Sequence, residues 1–142
     1  MPAARPLTAP ERARLVAEIV AAYVQARRAL RRAPIASVVA TLRAHDHPSP
    51  PPPSAGGADQ TLKEARRLGR AVARTLALVP GDTRCLVRSL VLTRLLARRG
   101  IAGTLVIGAR AAPSFLAHAW VECDGDPVLS LGDGSFGRLV EL

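Results

Sequence analysis

Ten consecutive residues, Pro48-Ser49-Pro50-Pro51-Pro52-Pro53-Ser54-Ala55-Gly56-Gly57, hold five prolines and no large apolar side chain. Such a run cannot feed a helix ladder or a sheet interior, and it has nothing to bury. It reads as an extended or disordered linker. The chain of 142 residues therefore divides into an N-terminal helical region, 1–44, a Pro/Gly-rich linker or loop, 45–60, and a core, 61–142.

On either side of that run the apolar residues keep helical spacing. Thr8-Ala9-Pro10-Glu11 is a helix start, with a capping residue, an early proline and an acid in the first turn. Leu15, Val16, Ile19, Val20, Tyr23 and Val24 follow as an apolar stripe, and Ile35, Val38, Val39 and Leu42 mark a second, short helix after Pro34. A third pattern begins at Thr61, carries Leu62, Ala65, Leu68, Val72, Leu76 and Val79 on one face, and stops at Pro80-Gly81. A fourth helix, from Arg84 to Leu96, can be capped by Asp82 or Thr83 and ended by Gly100. Strand character then takes over at about 103–108, 115–123 and 127–131, the last two joined by a hairpin through Asp124-Gly125. Helices first and a small antiparallel sheet afterwards is an α+β order.

Two residues in this layout carry chemistry. Cys85 falls in the first turn of the fourth helix, where unpaired N–H groups and the macrodipole stabilise a thiolate. His118 lies thirty-three residues later, in Ala117-His118-Ala119-Trp120-Val121-Glu122, on a strand that would fix its direction. A cysteine at a helix N-terminus with a histidine on a later strand reads as a thiol nucleophile with its base. The residues also admit plainer readings, Cys85 as a small buried hydrophobe and His118 as a half-buried, hydrogen-bonded histidine. Cys123 is read as structural, because an odd separation puts it on the opposite side of the strand from His118.

The segments Cys85-Leu86-Val87-Arg88-Ser89-Leu90, Arg94-Leu95-Leu96, Arg99-Gly100-Ile101, Leu105-Val106-Ile107-Gly108 and Ala117 to Glu122 followed by Asp124-Gly125 resemble the leader peptidases of lasso-peptide biosynthesis, the B2 proteins. The resemblance runs from about Leu62 to the C-terminus. It implies a papain/transglutaminase-like core with a helical N-terminal region and a small antiparallel sheet at the C-terminus. It also implies a cysteine peptidase, needing no cofactor, that removes the leader from a ribosomally made precursor. The implied partners are the precursor leader, a separate leader-recognition protein (a B1-type RiPP recognition element) and the ATP-dependent lasso cyclase. Members commonly carry an Asp about twelve residues after the His. Here that place is Ser130, and the next acid is Asp133 in Leu131-Gly132-Asp133-Gly134, so Asp133 is the expected third catalytic residue, with Ser130 as the alternative and Asp124 and Asp126 as solvated turn residues.

Charge divides the chain in the same way. Nineteen of the twenty basic residues are arginine, with Lys63 the exception, and the formal net charge is +9. Residues 1–43 carry eight arginines against Glu11 and Glu18, whereas from 101 onward there are two arginines and five acids. A basic helical part suits an acidic partner or leader. Nucleic acid fits poorly, since few aromatic residues stand among the arginines to stack on bases. His45 and His47 open the linker and are not expected to bind metal. The start Met-Pro-Ala-Ala-Arg-Pro-Leu has no signal-peptide pattern, and Leu15–Leu30 is interrupted by charges, so a cytoplasmic protein without a membrane span is expected. Two other function classes fit the same residues: a non-catalytic peptide-binding module, and an amide ligase or transglutaminase that passes the acyl group to an amine.

Overall fold

The computed structural model describes residues 6–44, 57–81, 85–111, 113–129 and 136–142. Four helices precede a four-stranded antiparallel sheet: α1 (Ala9–Leu30), α2 (Ile35–Ala44), α3 (Gly57–Ala77), α4 (Cys85–Arg98), β1 (Thr104–Arg110), β2 (Leu116–Cys123), β3 (Asp126–Pro127) and β4 (Gly137–Glu141), with sheet order β3-β2-β1-β4. This is the expected α+β arrangement.

Local chemistry sets the ends of the helices. The Glu11 carboxylate accepts the Thr8 backbone N–H at 2.7 Å and the Thr8 hydroxyl at 2.8 Å, which closes the start of α1. These bonds, the backbone one first, hold the Glu11 carboxyl below its usual pKa. At the other end of α4, Gly100 adopts φ +68°. There the Ile101 N–H reaches the Leu96 carbonyl at 2.9 Å and the Gly100 N–H reaches Ala97 at 3.0 Å, a Schellman closure that only a residue tolerant of positive φ permits. Asp82 and Thr83, expected to cap α4, lie outside the described residues, as do His45 and His47.

The core is one cluster centred on α4. Leu90, Val91, Leu92, Leu95 and Leu96 are fully buried and are joined by Ile19, Tyr23 and Ala26 of α1, Val38, Val39 and Leu42 of α2, Leu68, Val72 and Leu76 of α3, and Leu105, Ala119, Val121 and Cys123 of the sheet. Nearly all of α4 is enclosed, because α1, α2 and α3 pack against it from one side and β2 from the other. At the seam between α2 and the sheet, Arg43 donates to the carbonyls of Gly103 and Leu142. Burial lowers the Arg43 pKa, and the two carbonyls satisfy its guanidinium.

Four expectations need correction. In α1, Ile19 and Tyr23 are buried together with Ala22 and Ala26, but Val16, Val20 and Val24 are exposed. The small alanines let α1 approach α4 on a face turned away from the valines. Helix α3 opens at Gly57, earlier than Thr61, since Gly57-Ala58-Asp59-Gln60 accept helical geometry with an acid in the first turn. The third strand contains only Asp126 and Pro127 among the described residues, with one further bond from the Val128 N–H to the Val121 carbonyl at 2.9 Å. The sheet is completed by β4, whose residues are all exposed and so lack the alternation that marks a strand in sequence.

A candidate active site at one end of the sheet

Connectivity brings α4 and β2 into register. A Cβ at Gly103 would lie 2.9 Å from Leu96 Cδ1 and 3.3 Å from Val121 Cγ1, so the last turn of α4 sits at the Gly103–Val121 end of the sheet. The fourteen residues of α4 span about 21 Å. The seven residues of β1 span about 23 Å. At the far end of the sheet Gly108 pairs with His118 and Arg110 with Leu116.

Cys85 is the first residue of α4, half-buried against the core cluster and not in a disulfide. Its position among the first-turn N–H groups, which have no partner within the helix, is the one expected from the sequence. Cys123 is also free, 3% exposed and in the core. Burial, with the Asp124 charge second, pushes its thiol up to about 11. Such a thiol is a packing residue and a poor nucleophile.

Alternation along β2 sorts its side chains. Ala119, Val121 and Cys123 enter the core, while His118, Trp120 and Glu122 share the opposite face. His118 is half-buried in an aromatic stack, its ring 5.2 Å from that of Phe136 and 6.1 Å from that of Trp120. Arg110 continues the stack, with Cζ 5.4 Å from the Phe136 centroid. β2 thus turns Ala119, Val121 and Cys123 to the core against which Cys85 packs, and His118 to the face that carries Trp120 and Phe136. Phe115 and Leu116 are 74% and 47% exposed beside the end of the sheet where Arg110 pairs with Leu116.

Behind His118 stands a polar network that sequence reasoning missed. The Trp120 indole donates to Glu122 Oε1 at 2.8 Å, and Arg138 of β4 grips both Glu122 oxygens at 2.8 and 2.9 Å. Glu141 first, and then Glu122, holds the Arg138 guanidinium above its ordinary pKa. Gly108 makes room for this arrangement, since a Cβ there would stand 2.8 Å from the Trp120 ring and 2.8 Å from the Gly137 carbonyl. The sequence signal was the spacing His118-x-Trp120-x-Glu122 opposite a glycine. The partner, Arg138, gives no sign at long range.

Asp133 and Ser130, the candidates for orienting His118, lie outside the described residues. Asp124 and Asp126 are exposed in the hairpin at the opposite end, where Asp124 (φ 52°) and Gly125 (φ 83°) form a two-residue turn. A cavity of about 620 Å³ also lies at that end, lined by Thr93, Gly100, Thr104, Asp124 and Leu142, and contains neither Cys85 nor His118. Among the described residues no cluster of His, Cys, Asp or Glu could hold a metal, and no helix is long and apolar enough to cross a membrane.

The family model for the transglutaminase-like superfamily matches residues 20–140, from the middle of α1 through β4. No curated protein and no solved structure matches the chain. The superfamily in general comprises cysteine peptidases and transglutaminases, which share acyl transfer through a cysteine. With its cysteine at the head of the central helix and its histidine on the adjoining sheet, this chain belongs to the transglutaminase-like superfamily.

Proposed function

We propose that the chain is a cysteine peptidase that removes the leader from a ribosomally synthesised lasso-peptide precursor, with Cys85 as nucleophile and His118 as its base. The observation that carries the reading is Cys85 as the first residue of α4 in a chain that the transglutaminase-like family model matches over residues 20–140, with His118 on β2. The resemblance in the segments around these two residues supports the lasso-peptide role.

In the reaction, His118 takes the Cys85 proton and sulfur attacks the scissile carbonyl carbon. Backbone N–H groups at the start of α4 receive the oxyanion, each such donor contributing about 3 kcal/mol by analogy with measured oxyanion holes. The C–N bond breaks as His118 gives its proton to the leaving amine. Water then attacks the thioester, which releases the leader as a carboxylic acid and restores the thiol. Asp133 orients His118 in this scheme. A separate leader-recognition protein presents the precursor, and the ATP-dependent cyclase closes the ring afterwards. Presentation by a second protein raises the effective substrate concentration to about the millimolar range.

Mass spectrometry of a lasso precursor incubated with the chain, with and without its recognition protein, tests the reading. Cleavage at the leader boundary that rises steeply with the recognition protein and vanishes in Cys85→Ala and His118→Ala is the expected result. Normal cleavage by Cys85→Ala would rule out the peptidase assignment, and transfer of the acyl group to an added amine in place of water would make the chain an amide ligase.

A further inference from the structure

Between α1 and α3 runs a groove of about 610 Å³, lined by Arg12, Leu15 and Val16 from α1 and by Arg67, Arg70, Ala71 and Arg74 from α3. No acid lines it. Leu15 and Ala71 form its apolar floor, and Arg67, Arg70 and Arg74 repeat along one face of α3 at helical spacing. Val16, Val20 and Val24 continue the apolar surface beyond the groove at 46%, 37% and 39% exposure. These valines follow one another at a spacing of four and cover about 12 Å along the helix axis. At the far end Leu78 is 86% exposed, and the Gly81 backbone lies against Tyr23 and Arg27, so α1 and α3 run side by side along the whole surface. This face offers a line of apolar side chains bordered by positive charge.

We infer that this groove docks an acidic amphipathic helix of another polypeptide, its apolar side chains on the valine line and its carboxylates among Arg12, Arg70 and Arg74. The lining of the groove fixes the charge and the length of the occupant. Two turns of apolar surface flanked by arginines match a helix with apolar residues at i, i+4 and i+8 and acids beside them. The chain itself cannot supply such a segment. Outside the described residues its acids are Asp46, Asp82 and Asp133, no two of them adjacent or within one stretch. Two carboxylates of α1 and α3 are already engaged, Glu11 by Thr8 and Glu64 by Arg67 at 3.6 Å. The proposal does not depend on the chemistry at Cys85, because nothing in the groove belongs to that site.

Fluorescence anisotropy of a labelled eighteen-residue amphipathic peptide, with leucines at i, i+4 and i+8 and glutamates on the flanking positions, tests it with the full chain. Binding should weaken at least tenfold in Arg70→Glu/Arg74→Glu, at least threefold in Val20→Ser/Val24→Ser, and steadily as salt is raised. All four positions are exposed, so circular dichroism and thermal melting should match the unmodified chain. Equal affinity for a scrambled peptide of the same composition would reduce the groove to a counterion surface and overturn the proposal. Unchanged affinity in the charge-reversed variant, or tighter binding of single-stranded RNA or anionic phosphatidylserine vesicles that displaces the peptide, would overturn it as well. Because the readout is binding alone, its failure leaves the peptidase reading untouched, and loss of precursor cleavage would leave the groove untouched.

Discussion

The Trp120 indole N–H and the Glu122 carboxylate, two residues apart on the same face of β2, are joined by a 2.8 Å hydrogen bond that Arg138 closes from β4. Glu122 is buried, so its bonds to Trp120 and Arg138 tie the orientation of Trp120, and with it the wall behind His118, to the edge strand. Removing the carboxylate in Glu122→Ala leaves a buried indole donor unpaired, and the expected cost is about 2 kcal/mol by urea denaturation. Glu122→Gln keeps an acceptor for the indole and should cost about half of that. Near-UV circular dichroism should report a displaced Trp120 in the alanine variant only.

Gly108→Ala should act on the same wall by crowding. A Cβ 2.8 Å from both the Trp120 ring and the Gly137 carbonyl must displace one of them, and overpacking of this kind costs about 1–3 kcal/mol. Tryptophan fluorescence should change together with stability. An unaltered emission spectrum would mean that β4 yields in place of the indole.

Gly69→Ala tests the packing of α3 on the segment that follows β3. In a helix interior this change ordinarily gains about 1 kcal/mol. Here a Cβ would stand at 2.1 Å from the Val128 carbonyl oxygen, a backbone atom with no rotamer to escape into. The sign should therefore reverse, with a lower denaturation midpoint.

The two thiols should behave differently. Iodoacetamide at neutral pH is expected to label Cys85 and to spare Cys123 in the folded chain, as peptide mapping would show. Because burial raises the Cys123 pKa from 9.0 to about 11, the unfolded chain loses this proton before the folded chain does. Stability from this group is complete below about pH 9 and falls as pH rises toward 11. The decline in urea midpoint across that window should be shallower in Cys123→Ala than in the unmodified chain.

Much of this architecture was legible in the sequence, and the gaps have physical causes. Cys85 at the head of α4, Gly100 at its end and the Asp124-Gly125 turn follow from local rules that act within a few residues. The opposite facing of Cys123 and His118 follows from alternation alone. By contrast, the face of α1 that packs inward was misread, since Ala22 and Ala26 are chosen by close approach to α4 and not by hydrophobicity. Strand β4 left no pattern because it is an edge strand without a buried face. The Glu122–Arg138 pair depends on strand order, which no local signal encodes.

Trapping the covalent intermediate tests the central claim most directly. The chain is mixed with a lasso precursor and its recognition protein, quenched in acid within the first turnover, and weighed intact. The account predicts a species heavier by the leader less one water, mapped to Cys85, released by hydroxylamine, absent in Cys85→Ala and present in Cys123→Ala. Leader removal that proceeds in Cys85→Ala, or an adduct that maps to Cys123, would contradict it.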